Sequence, residues 1–256
     1  MDTHTNRIAP GPIVRSTQSG DEATFCGTCA FSEACLSSGY GKQDLAALHC
    51  LVEHVQTQRA GEHVFRRGEP FKALYAVRSG SVKTLMFSRD GREQVLGFYL
   101  PGEIIGLNGI YPDLYPCDAI TLEKTEFCRF SFPAMSSLAA VLPVVQQHLF
   151  RLLSKELGMV SLLAGEHTAD ERVAAFLVDF SERHDRRGLQ SSRFRLSMSR
   201  SDIASYLRLA PETVSRVLTR FRQQGWVAIE GRHVQLIRMD ALRETGLAMR
   251  QAMPAG

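Results

Sequence analysis

The sequence lacks any apolar run approaching the ~20 residues that a membrane-spanning helix needs. Its start, Met1 to Ser19, is scattered with polar residues and has no apolar core, so it does not read as a secretory signal. Both absences point to a cytoplasmic protein. There, its six cysteines stay reduced unless they bind metal or sense redox state. Lysine and cysteine are missing altogether from residue 167 onward, where 15 Arg face 10 Asp+Glu. Residues 1–166 are slightly acidic, with 15 Lys+Arg against 17 Asp+Glu. Arg suits phosphate and guanine because its planar fork donates two parallel hydrogen bonds. A solvated basic face would explain the same bias. No phosphate-binding Gly loop and no Ser/His/Asp pattern is present, and no His lies among the clustered cysteines to act as a base. Those absences argue against an enzyme. A length of 256 residues supports two domains with real cores.

What the chain does carry is Cys26-Gly-Thr-Cys29-Ala-Phe-Ser-Glu-Ala-Cys35. Three thiols within ten residues form a metal-ligand constellation. A cubane iron–sulfur cluster needs four thiolates and favours compact Cys runs with one remote ligand. Cys50, Cys117 and Cys128 are the candidates for the fourth. Four thiolates also suit a structural zinc ion.

Residues 1–21, with Pro10 and Pro12, read as a flexible lead. Lys42 to Glu53 places Leu45, Leu48, Leu51 and Val52 at helical spacing. From Arg59 to about Pro133 the pattern becomes short apolar runs cut by glycines: Leu74–Val77, Val82–Phe87, Gln94–Leu100, Ala119–Leu122 and Phe127–Phe132. Many short strands between glycine turns predict a β-roll or jelly roll. Helical spacing then runs from Leu138 through Val144, Val145, Leu149, Leu152, Leu153, Leu157, Val160 and Leu163. So long a stripe between two domains suggests a dimer seam. A short helix is expected over Asp170 to Ser181, and a hairpin over Trp226–Glu230, Gly231 and His233–Ile237.

Between them lies Ser201-Asp-Ile-Ala-Ser-Tyr-Leu-Arg-Leu-Ala-Pro-Glu-Thr-Val-Ser-Arg216, which reads as a DNA-binding helix-turn-helix. Ser201-Asp202 opens its first helix, and Ala210-Pro211 opens the second, with Pro in the first turn. Ile203, Ala204 and Leu207 would face inward, as would Val214, Val217, Leu218 and Phe221. Glu212, Thr213, Ser215, Arg216 and Arg220 are left outside. Glu can accept from cytosine N4 and Arg can donate twice to guanine. A plain i, i+4 ion pair on a helix surface is the alternative for Glu212 and Arg216.

Pro211-Glu-Thr-Val-Ser-Arg-Val-Leu-Thr-Arg-Phe221, the upstream roll and the long helix together resemble the CRP/FNR family of bacterial regulators, from about Phe25 to Ile237. The resemblance implies an α+β fold. Residues 22–140 would hold the cluster loop and β-roll sensor, 141–166 the dimerisation helix, and 167–256 the winged helix-turn-helix. The Cys-x2-Cys-x5-Cys spacing resembles the FNR branch and implies an oxygen-labile [4Fe-4S] cluster. In that branch the fourth ligand follows a Leu-Glu segment on a late strand, which Leu122-Glu123-Lys-Thr-Glu-Phe-Cys128 fits. The implied ligands are Cys26, Cys29, Cys35 and Cys128. An intact cluster would favour a homodimer bound to palindromic TTGAT-type double-stranded DNA, with Glu212, Ser215 and Arg216 reading bases, and oxygen would loosen it.

The cyclic-AMP branch grips its ligand with a Gly-Glu loop and an Arg-Ser pair. This chain has Gly102-Glu103 but aligns Cys117-Asp118 with the pair, so no cyclic nucleotide is expected. Ser88-Arg89-Asp90-Gly91-Arg92 falls where the family meets RNA polymerase, although a solvated hairpin turn has the same composition. Arg208 stands at a turn position that is usually Gly. The dimer helix is about one turn shorter than in the FNR branch. Glu156 is the candidate for that branch's acidic residue that restrains dimerisation.

Overall fold

The computed structural model describes residues 52–88, 90–164 and 166–247. Strands β1 (Val52–Gln58), β2 (His63–Phe65), β3 (Ala73–Ser79), β4 (Val82–Phe87), β5 (Glu93–Tyr99), β6 (Ile104–Ile105), β7 (Asp118–Thr121) and β8 (Thr125–Ser131) come first. They form two antiparallel sheets, β1-β8-β3-β6 and β2-β7-β4-β5. A 3-10 turn at Leu107–Gly109 starts from Gly106, whose φ of 98° lies in the left-handed region that glycine enters without steric cost. The five apolar runs appear as β3, β4, β5, β7 and β8. Val52 and Glu53, assigned by periodicity to a helix, belong to β1 instead. The rest of that segment, from Lys42 to Leu51, lies outside the described residues.

The alternation along β8 organises the roll. Phe127 points into an interior cluster with Phe65, Val77, Val82, Ile105, Tyr115, Cys117 and Ala119. Phe65 and Tyr115 stack there with centroids 3.9 Å apart. Phe130 points the other way, into a cluster with Leu74, Ala76, Ile104, Leu107, Met135 and Val145.

That outer cluster is covered by helices α1 (Phe132–Val141) and α2 (Pro143–Ala164). The expected single helix is broken at Leu142, which is extended at φ −120° and ψ 97°. Pro143 is the cause, because a following proline disfavours helical backbone in the residue before it. The apolar stripe also divides. Val145 is buried, and Leu149, Leu152 and Leu153 pack on the roll's own outer cluster. Phe150 is 60% exposed and Leu157 71% exposed, one heptad apart.

Helix α3 (Ala169–Asp185) follows, longer than expected and started by a Thr168/Glu171 capping box. Strand β9 (Arg193–Arg195), not foreseen, pairs with β11 (His233–Leu236), which also pairs with β10 (Val227–Glu230), to make the wing. Between them run α4 (Arg200–Leu207) and α5 (Pro211–Gln223), and α6 (Met239–Thr245) packs back on α3. Val95, Phe98 and Leu100 of the roll share one apolar core with Phe176, Phe180, Ile203, Leu207, Val214 and Phe221. Each large apolar side chain so buried contributes about 1.5–3 kcal/mol. The two units therefore meet through a core, not through a linker alone.

Candidate nucleic-acid interface and thiolate site

Helix α4 is opened by Ser199, not Ser201. The Ser199 hydroxyl accepts from the Asp202 N–H at 3.0 Å, and Asp202 accepts from the Ser199 N–H at 2.9 Å. Burial pushes the Asp202 carboxyl up, but bonds from Lys83 and Ser199 outweigh it and hold it below the usual range. Arg208 ends the helix in the left-handed region, at φ 56° and ψ 44°. The turn thus keeps its glycine-like geometry with a side chain in place, at a cost of about 1 kcal/mol.

Pro211 is in the first turn of α5, and Val214, Val217, Leu218 and Phe221 bury its inner face as expected. Glu212, Ser215, Arg216 and Arg220 are exposed and Thr213 is half-buried. Among the described residues Arg216 forms no ion pair with Glu212. Its guanidinium donates to the Thr213 hydroxyl at 3.4 Å. The Ser215 hydroxyl donates to the Pro211 carbonyl at 2.9 Å. Arg220 instead pairs with Asp170 at the start of α3. An exposed donor fork beside an exposed carboxylate, one turn apart on a helix braced by another, can read base edges in a major groove.

Not all of the Arg excess faces outward. Arg183 and Arg187 are buried and pair with Glu103. Arg195 pairs with Glu123, Arg243 with Glu182, and Arg238 with Asp240. Arg232 donates to the Ser197 carbonyl at 3.0 Å. Only Arg183 and Arg187 of these are buried, and sequence counting could not separate them from the Arg that stay on the surface.

Among the candidate thiols, Cys26, Cys29, Cys35 and Cys50 lie outside the described residues. Cys117 is 0% exposed, inside the roll, and accepts from the Asn108 amide at 3.4 Å. Burial pushes its thiol pKa up, which disfavours the thiolate a metal needs. Neighbouring Asp118 accepts from the Arg67 N–H at 2.9 Å. Cys128 is half-buried on the opposite face, in register with Ala76 of β3 and His54 of β1. It packs against the outer cluster that also holds Val145 of α2. Among the described residues no three His, Cys, Asp or Glu side chains gather as a metal site.

The turn from Ser88 to Arg92 joins β4 to β5. Ser88 N–H donates to the Arg92 carbonyl at 2.9 Å, and Asp90 pairs with Arg92 at 2.5 Å. Arg89 lies outside the described residues. Glu156 faces the roll, where it accepts from the Tyr99 hydroxyl.

A roll joined through two helices to a winged helix-turn-helix with an open reading face defines a two-domain DNA-binding transcription regulator. Among the described residues no helix is long and apolar enough to cross a membrane. Residues 55–140 match the cyclic nucleotide-binding domain, and residues 171–245 the Crp-like helix-turn-helix domain. The chain is 41% identical over 226 residues to the transcriptional activator protein anr of Pseudomonas aeruginosa, covering 87% of this chain and 92% of that one. It is 35% identical over 236 residues to the fumarate and nitrate reduction regulatory protein of Escherichia coli, covering 91% and 94%. The solved structure of FixK2 from Bradyrhizobium japonicum superposes with a TM-score of 0.66 at 27% identity, covering 80% of this chain and 98% of that chain. The chain belongs to the CRP/FNR family of transcription regulators and is not an enzyme.

Proposed function

We propose that this regulator senses oxygen through a [4Fe-4S] cluster held by Cys26, Cys29, Cys35 and Cys128, and controls genes of anaerobic growth as a DNA-bound homodimer. The observation that carries this is the position of Cys128. Its thiol lies on the outer face of the roll sheet, on the same apolar cluster that seats α2. A ligand there is within reach of a segment outside the roll, whereas Cys117 is enclosed and disfavours the thiolate form. The donor set of four thiolates fits a cubane cluster, which supplies sensitivity to oxygen. The relatives' names, among them a fumarate and nitrate reduction regulatory protein, support the anaerobic assignment.

The chain's own part is mechanical and electrostatic. Whatever shifts β8 at Cys128 shifts the cluster in which Phe130 and Ala76 of the roll meet Val145 of α2. Helix α2 presents Phe150 and Leu157 as the seam for a second copy. Two-fold pairing sets two α5 helices on a palindrome of TTGAT-type half-sites, and doubling the contacts makes occupancy steep in dimer concentration. The exposed Asp90–Arg92 turn is the surface offered to RNA polymerase. The roll interior is filled by stacked Phe65 and Tyr115 and carries the neutral Cys117 thiol where the Arg of an Arg-Ser pair would grip a phosphate, with the Asp118 carboxylate next to it, which supports a sensor that takes no cyclic nucleotide.

Anaerobic absorption with iron and sulfide analysis tests the centre. The expected protein is brown, bleaches in air, and loses both cluster and DNA binding as Cys128→Ser but not as Cys117→Ser. A colourless zinc-loaded protein, or iron lost from Cys117→Ser alone, overturns the assignment.

A further inference from the structure

We propose that Glu103 is a positioning residue that locks the DNA-reading unit to the roll in one orientation. It follows the Gly102 turn between β5 and β6, and its carboxylate is directed at α3. One oxygen accepts from Arg183 Nε at 2.9 Å and pairs with Arg187 at 2.7 Å. The other accepts from Arg183 at 2.5 Å and from the Leu100 N–H at 2.9 Å. Arg183 also donates to the Phe98 carbonyl at 2.6 Å, and Arg187 donates to that of Pro101. Both guanidinia thus reach the stretch from Phe98 to Glu103, and Arg187 donates as well to the Arg183 carbonyl. Asp179, 3.2 Å from Arg183, offsets the second positive charge. The three side chains are 13, 10 and 3% exposed for Glu103, Arg183 and Arg187.

A buried ion cluster adds little net stability over apolar packing. Its fork geometry is strict, so its effect falls on orientation. A second set of contacts, on α4, fixes the rotation about that point. The Ser205 hydroxyl accepts from the Val95 N–H and donates to the Glu93 carbonyl, each at 2.9 Å. Gln94 donates to the Ser205 carbonyl at 2.7 Å, and Lys83 pairs with Asp202 at 2.6 Å. The shared apolar core fills the space between. Glu212, Ser215 and Arg216 remain exposed in this docked state. The reader is therefore carried as part of the roll, and the spacing of two readers is set where two chains meet, not by a swinging linker. The spacing consequence rests on the dimer-and-palindrome reading, while the lock itself does not.

Two measurements on the full-length protein test it. The first is amide hydrogen exchange of the monomer, comparing wild type with Glu103→Gln and with the conservative Glu103→Asp. Exchange over Glu93–Tyr99 is expected to rise at least about tenfold in Glu103→Gln and to recover in Glu103→Asp, while Val214–Phe221 stays protected. The second is affinity for palindromes with one base pair added or removed between half-sites, each of which turns a half-site by about 34°. Wild type is expected to reject both altered spacings by at least about hundredfold, and Glu103→Gln by less than about tenfold. Ser205→Ala, which leaves no buried charge unpaired, carries both measurements if Glu103→Gln does not fold. Unchanged exchange overturns the lock. Faster exchange with an unchanged spacing profile reduces Glu103 to a stabilising contact and overturns its positioning role. If wild type itself shows no preferred spacing, the dimer reading fails and exchange alone decides the lock.

Discussion

Tyr99 donates its phenolic hydrogen to Glu156 at 3.5 Å, tying the end of β5 to the middle of α2. Burial and the Glu156 carboxylate together push the phenol well above its usual pKa, so it stays a donor at physiological pH. The contact turns Glu156 toward its own roll. It does not stand on the exposed face with Phe150 and Leu157.

The seam prediction follows directly. Phe150→Asp should weaken the anaerobic dimer by at least about tenfold, since one desolvated charge at an apolar interface costs more than 1.4 kcal/mol. Glu156→Gln should leave the dimer constant within about threefold. Sedimentation of loaded protein over a concentration series measures both, and a large gain in dimerisation from Glu156→Gln would restore it as the restraining acid.

On DNA, Arg216 and Arg220 should part company. Arg216→Ala should cost about 1–3 kcal/mol at the guanine it reads and relax discrimination there. Arg220, held by Asp170, should weaken all sequences alike when truncated and lower the salt slope by about one. Titrations on specific and random duplexes at several salt concentrations separate the two. Equal losses on both duplexes for Arg216→Ala would remove its reading role.

Arg208 offers a stability test. Its φ of 56° is left-handed backbone that glycine adopts cheaply. Arg208→Gly should raise unfolding free energy by about 0.5–1 kcal/mol in denaturant titrations with DNA affinity kept. A loss of stability would show that the Arg side chain makes up for its backbone.

Acid sensitivity should trace partly to His184. Burial pushes its pKa below the usual 6.5, Arg187 and Arg183 add to this, and the bond to the Phe180 carbonyl opposes it. The unfolded chain therefore takes up a proton near 6.5 that the folded chain takes only at lower pH. Stability should fall as pH drops through 6.5 and level off below the folded value. His184→Phe should flatten part of that decline in urea midpoints measured from pH 7 to 5. His63 and His148, also lowered first by burial, keep the rest. An unchanged slope in His184→Phe would exclude it as a contributor.

Local pattern carried most of the architecture. Alternation revealed β3, β4, β5, β7 and β8. Apolar spacing identified both helices of the reader down to Val214, Val217, Leu218 and Phe221. The short strands β2, β6 and β9 were not legible, because two or three residues hold no readable period. Val52–Glu53 misled for a related reason, since a few apolar residues at strand entry fit a helical spacing equally well.

By itself, the sequence determined the two units, the recognition-helix face and the kinship of the chain, because each is written in residues close together along the backbone. Only tertiary structure decided the rest. It divided the α2 stripe between the roll and an exposed face, and it set Cys128 on the outer face of the roll and Cys117 in its interior. It also drew Arg183 and Arg187 out of the basic surface and onto Glu103. These are contacts between residues tens of positions apart, and neither periodicity nor charge counting records which distant partner a side chain will meet.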